Sequence, residues 1–288
     1  MSSTDWSAGD PAVEKARARR AGWLAPGPRP RGSAGRADLA PGPEEDLSFL
    51  TGDFRIFQLR SGHRWSLDDF VTAYAALQAS PEATACVDLG CGIGSVLLML
   101  AWGLTHATLV GIEAQDVSVA LARRSIAFNG VEDRCRLVHG DLREEASRLA
   151  PGTFDLVTGT PPYIPIGSGL VSNKAQRGPC CFETRGGIED YARAAAPLLR
   201  PNGRFVACYG AQPERRGEDA ARAAGLHVLR RIDVVPRAGK PVLLRVLVAA
   251  PADSGEGSTR IERFAVRDQN GDITAEMHEA RARMGLPP

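Results

Sequence analysis

The chain lacks several features that would each dictate a class of function. It has no apolar run long enough to cross a membrane as a helix; the longest, Val96 to Trp102, is followed at once by Gly103. Its first residues have no apolar centre of the kind a secretory signal carries. Its six cysteines (Cys86, Cys91, Cys135, Cys180, Cys181, Cys208) form no Cys-x-x-Cys pair and no cluster with histidine. That pattern gives no basis for a zinc site and fits a reducing cytoplasm. Asp268, Asn270 and Asp272 lack the loop length and closing glutamate of a calcium site. Charge of one sign is also missing. The formal net charge of +1 excludes a uniformly basic surface and leaves any nucleic-acid contact to local patches. No internal repeat is visible.

What is present is an ordinary globular composition. With 43% apolar residues in 288, the chain can bury the core of one α/β domain with appendages. Residues 1–45 are rich in Pro, Gly, Ala and Arg and read as a disordered basic arm. Residues 46–250 read as the main domain with an N-terminal lead-in, and residues 251–288 as a strand-turn-helix appendage. In the lead-in, Phe54–Leu59 alternates like a strand and Ser66 caps a helix from Leu67 to about Gln78. Strand-like runs follow at Thr84–Leu89, Ala107–Glu113, Arg134–His139, Phe154–Gly159, Gly203–Tyr209, His227–Val235 and Val242–Ala250. Helix-period segments lie at Ser95–Leu104, Val117–Phe128, Ile188–Leu199 and Gln212–Ala224. This alternation predicts a Rossmann-like sheet of seven strands, mostly parallel, with helices on both faces and an antiparallel edge strand.

Two loops carry the chemistry. After the first of these strands comes Asp88-Leu89-Gly90-Cys91-Gly92-Ile93-Gly94. Glycines between a strand and a helix let the backbone approach a ligand closely. The spacing is GxGxG, not the GxGxxG of dinucleotide folds, and Asp88 would repel a pyrophosphate at this helix N-terminus. A ligand carrying an ammonium and a sulfonium, as S-adenosylmethionine does, suits that charge. Glu113 ends the second strand, where a carboxylate can accept from both ribose hydroxyls, and Ala114 follows it. Asp141 and Leu142 follow the third strand, where Asp141 can accept from the adenine amine. The second loop is Gly159-Thr160-Pro161-Pro162-Tyr163 after the fourth strand.

The stretch 84–163 resembles class I S-adenosylmethionine-dependent methyltransferases. The resemblance implies cofactor contacts from Asp88, Gly90, Cys91, Gly92, Gly94, Glu113, Ala114, Asp141, Leu142 and Thr160. The second loop is similar to the (Asn/Asp)-Pro-Pro-(Tyr/Phe) motif of enzymes that methylate adenine N6, cytosine N4 or glutamine N5. It implies a catalytic loop of Thr160, Pro161, Pro162 and Tyr163. A conjugated amine has its lone pair spread into a ring or carbonyl. Hydrogen bonds from its N–H groups to a side-chain oxygen and to the Pro161 carbonyl would localise that pair. The prolines stiffen the loop and remove competing donors, and Tyr163 offers a stacking face. Thr160 departs from the motif, because a hydroxyl is a shorter and less polar acceptor than an amide oxygen.

Over about residues 47–250 the layout resembles bacterial tRNA methyltransferases acting on adenine-37 N6 of a valine tRNA. It implies a monomer acting on tRNA in the cytoplasm, with no membrane or metal. Arg60, Arg64, Lys174, Arg177, Arg237 and Lys240 supply local basic patches for phosphate contact. A protein-glutamine or small-molecule N-methyltransferase, or an RNA-associated homologue that binds cofactor without catalysis, remain alternatives. Thr160 is the residue that separates them.

Overall fold

A computed structural model describes residues 14, 17, 18, 20–164, 180, 182–255 and 257–287. The first two strands, β1 (Glu45–Phe49) and β2 (Arg55–Leu59), pair antiparallel. Helix α1 (Leu67–Ala79) leads into the central series of β3 (Ala85–Leu89), α2 (Ser95–Gly103), β4 (Thr108–Glu113), α3 (Asp116–Asn129) and β5 (Cys135–His139). Then come α4 (Leu142–Glu145), β6 (Phe154–Gly159), α5 (Ile188–Ala195), β7 (Leu199–Gly210) and α6 (Arg216–Ala223). The chain closes with β8 (Leu226–Val235), β9 (Leu244–Pro251), β10 (Arg260–Ala265) and α7 (Ala275–Arg283).

The large sheet has the order β10-β8-β9-β7-β6-β3-β4-β5. Strands β7, β6, β3, β4 and β5 run parallel, while β9 is antiparallel to both β7 and β8. The α/β class and the mostly parallel sheet are as expected, but the sheet has eight strands where seven were predicted. The eighth is β10, which pairs in parallel with β8. Its sequence, Arg-Ile-Glu-Arg-Phe-Ala, leaves Ile261 exposed and buries Phe264 against Tyr74, with ring centroids 6.3 Å apart. One anchoring aromatic holds a polar edge strand in place, and a polar edge also discourages pairing with other chains.

The buried runs explain the central strands. β3 hides Cys86, Val87, Asp88 and Leu89, and β9 is buried along nearly all its length, as strands covered on both faces must be. Helix α3 ends at Gly130, whose φ of 70° gives the left-handed turn expected after its apolar stripe. The β1–β2 pair is held to α3 by polar bonds. Asn129 Oδ1 accepts from the Arg55 N–H at 2.9 Å, and Ser125 Oγ accepts from the Phe57 N–H at 2.9 Å.

Part of the stretch expected as an arm lies against this domain. Leu39 is buried, the Gly32 N–H donates to the Phe128 carbonyl at 2.9 Å, and Arg124 donates to the carbonyls of Asp38 and Ala40. Arg20 stacks over Trp23 and Phe49 and pairs with Asp53 at 2.8 Å. Strand order reverses at β3, with β4 on one side and β6 on the other. In such sheets the crevice beyond the carboxyl ends of those strands is the ligand site.

Candidate active site

A cavity of about 490 Å³ opens at that switch point. The glycine loop forms its floor through Gly90, Cys91 and Gly92. Gly90 has a φ of 60°, and a Cβ there would stand 2.1 Å from the Tyr191 hydroxyl oxygen, so no other residue fits. A Cβ on Gly159, at the end of β6, would likewise meet the Tyr191 ring at 2.4 Å. One buried tyrosine from α5 therefore packs beneath both loops that the sequence singles out, and burial raises its phenol well above the ordinary range. Gly94 is not on the cavity wall. It caps α2 and packs against Ala122, where a Cβ would make a 3.4 Å contact.

Glu113 stands on the wall with Ala114. Its carboxylate accepts from the Gly92 N–H at 2.9 Å and from the Gln115 N–H at 2.7 Å, while burial still raises its pKa. Those backbone donors, one to each carboxylate oxygen, fix the orientation of the side chain. Asp141 and Leu142 also reach the cavity. Asp141 is the N-cap of α4 and is gripped by Arg143, which donates from its backbone N–H, Nε and Nη2 and holds the carboxyl below its usual range. Asp88 is placed differently. It is 1% exposed and absent from the wall, and its Oδ1 accepts from Thr158 Oγ1 at 2.8 Å across the β3–β6 pairing. Burial pushes its pKa up to about 7.

Thr160, Pro161, Pro162 and Tyr163 all line the same cavity. Tyr163 packs beside Gly210 at the end of β7, where a Cβ would come within 3.2 Å of it. Arg60 and Arg64 lie on the cavity wall, whereas Arg237 and Lys240 do not. Arg64 is anchored, donating to the fully buried Asp46 at 2.6 Å and to Ser48 at 3.3 Å. Arg237 and Lys240 are exposed on the segment joining β8 to β9. Lys174 and Arg177 fall outside the described residues, as do Pro165–Pro179.

The wall also holds residues to which sequence reasoning gave no role. These include Asp68 and Asp69 at the start of α1, Gln115, Tyr191 and Cys180. Ser66-x-x-Asp69 is legible as a capping box, which accounts for Asp69 without reference to a ligand. Among the described residues no group of three or more His, Cys, Asp or Glu side chains is placed to hold a metal. No described helix is long and apolar enough to cross a membrane.

Residues 86–164 match the methyltransferase-domain family. This core is a class I, S-adenosylmethionine-dependent methyltransferase domain. Its cavity fits that cofactor on its own terms. The floor has no side chains at Gly90 and Gly92, an oriented carboxylate stands at Glu113, and the volume is ample.

The chain is 33% identical over 168 residues to a release factor glutamine methyltransferase of Caulobacter vibrioides, covering 54% of this chain and 56% of that one. It is 31% identical over 123 residues to a tRNA1(Val) (adenine(37)-N6)-methyltransferase of Porphyromonas gingivalis, covering 42% and 48%. The matches thus span about half the length of these curated relatives. The fold is similar to that of a predicted O-methyltransferase of Agrobacterium tumefaciens, with a TM-score of 0.53, 18% identity and coverage of 76% of this chain and 98% of that one. At that identity the methyltransferase domain shares a fold with it and nothing finer follows.

Proposed function

We propose that the chain transfers a methyl group to an exocyclic amine, adenine N6 in tRNA. The observation that supports this most is that the loop Thr160–Tyr163 and the glycine loop Gly90–Gly92 open onto one cavity, locked together by Tyr191. When bound, the cofactor supplies an electrophilic sulfonium methyl group. Glu113 holds the ribose hydroxyls, and Asp141 with Leu142 meets the adenine edge. The acceptor's planar group stacks on Tyr163. Its amine donates to Thr160 Oγ1 and to the Pro161 carbonyl, which turns the nitrogen lone pair toward the methyl group. Catalysis is then mainly positioning, with no strong base required. The released proton passes to water.

Adenine is favoured over a glutamine side chain by one observation. Arg60 and Arg185 line the same cavity, with Arg64 held beside them by Asp46, a local positive patch suited to a phosphodiester. The target base must be unstacked from its loop to reach Tyr163.

A labelled-methyl assay offering total tRNA, a glutamine peptide and a metabolite extract tests the reading. Label is expected in tRNA, recovered as N6-methyladenosine. Label recovered as a ribose-methylated or carbon-methylated nucleoside rejects amine chemistry. Label in the peptide alone favours the glutamine reading, in keeping with the release factor relative.

A further inference from the structure

The acid within the glycine motif is turned away from the cavity, and another acid stands where a ligand would meet it. Asp69 is 4% exposed and lies on the cavity wall. Its Oδ2 accepts from the Ser66 N–H at 2.9 Å and its Oδ1 from Ser95 Oγ at 2.8 Å. Ser95 is the first residue of α2, so these bonds tie the lead-in helix to the glycine loop's own helix. Asp68 lies beside it on the wall and accepts from the Asp69 N–H at 3.1 Å. Among the described residues neither acid is in an ion pair. The charges acting most strongly on Asp69 are the like charges of Asp68 and Asp88. Two cations of the wall act on other acids: Arg64 pairs with Asp46, and Arg185 acts on Glu113 and Asp141. A carboxylate buried on a cavity wall, out of any ion pair and pressed most by like charges, is stabilised by a cation brought by the ligand.

We propose that Asp69, assisted by Asp68, binds the ammonium of the cofactor's methionine end, so that the helix before the glycine motif reads the amino-acid half of the cofactor. This rests on the cofactor reading of the cavity. It gives Asp88 a structural task, accepting from Thr158 inside the sheet.

The test is calorimetry on the full chain with two probes. S-adenosylhomocysteine carries the amino-acid end; 5′-methylthioadenosine has the same adenosine thioether without it. Asp69→Asn is expected to weaken the first at least about tenfold, the loss of a charge-assisted bond, and to leave the second within about twofold. Asp88→Asn is expected to produce no such selective loss. An unchanged S-adenosylhomocysteine affinity in Asp69→Asn, equal weakening of both probes, or a selective loss in Asp88→Asn overturns the proposal. Wild-type protein that binds neither probe overturns the cofactor reading itself, so the two failures are distinguishable.

A pH series on wild-type protein keeps the test open should Asp69→Asn fold poorly. Burial and Asp68 push Asp69 up to about 8. Asp68 on its own helix, Asp88 from β3 and Cys208 from β7 face it, and His63, Arg64 and Glu113 share the wall. Between pH 6 and pH 8 the ionised share of Asp69 rises while the probe's ammonium stays charged. The affinity ratio of S-adenosylhomocysteine to methylthioadenosine is therefore expected to rise severalfold. The rise should persist in His63→Gln and in Asp88→Asn, since Asp88 is also pushed into this range by burial. A flat or falling ratio, or disappearance of the rise in His63→Gln or Asp88→Asn, overturns the assignment.

Discussion

At the scale of single residues, Thr160 and Asp88 carry the sharpest expectations. Thr160 sits at the motif position that most needs an acceptor. Thr160→Ala is expected to cut kcat by about two orders of magnitude, the lower end of the range seen when one positioned polar group is removed. Thr160→Asn should hold or exceed the wild-type rate, as stopped-time methyl-transfer assays would show. A total loss in Thr160→Asn would contradict the role given to this position. Asp88 makes a stability prediction. Its folded pKa is pushed up to about 7 by burial, above the ordinary carboxylate value, so the folded state holds the proton more tightly than the unfolded chain. Stability of the ligand-free protein should therefore fall as pH rises from about 4 through 7. In Asp88→Asn that part of the decline disappears, which melting curves at pH 5 and pH 8 would reveal. The sequence shows that an acid precedes the glycine loop, but not which way it points. Its direction depends on Thr158, 70 residues later and paired with it across the sheet.

At the scale of elements, the site is assembled by contacts between segments that lie far apart in sequence. Arg216 on α6 donates to both oxygens of Glu183 and to Glu189 on α5, which pins residues 182–189 against the body of the domain. Arg216→Ala should lower kcat/KM for the acceptor by about tenfold through misplacement of that segment, with S-adenosylhomocysteine binding retained. Equal loss of both would assign Arg216 to general stability instead. The β1–β2 pair holds the rim in a similar way, through buried Asp46 and its bonds to Arg64, Ser48 and Gln58. Elements with strong local signals were legible in the sequence. The apolar runs of β3, β4 and β6, the Gly130 cap and the glycine loop all follow from local chemistry. β1 was not, because it is specified by its bonds and packing against distant segments. The strand of the C-terminal appendage was legible, but its place in the large sheet was not, because that depends on pairing with β8 and on one buried phenylalanine. Asp69 escaped for another reason, since its capping role explained it before its place on the cavity wall was visible.

At the scale of the whole molecule, one cavity carries both kinds of charge the proposed task needs. Glu113, Asp69 and Asp141 suit a cationic cofactor, and Arg60 and Arg64 stand on the same wall. With a net charge of only +1, the proposed tRNA contact rests on local cations such as Arg60 and the exposed Arg237 and Lys240. Binding should weaken steeply with salt. Replacing Arg60 or Arg237 by Gln should shallow the slope of log K against log salt by roughly 0.9 for each phosphate no longer neutralised, or about 0.7 on single-stranded segments. The central claim, methyl transfer to an adenine amine, is tested most directly by nucleoside mass spectrometry of tRNA from cells lacking the protein, before and after incubation with purified protein and S-adenosylmethionine. The account predicts that one N6-methyladenosine is missing from the deletion strain and restored in vitro. An unchanged nucleoside profile in the deletion strain, with no methyl incorporated on incubation, would contradict it.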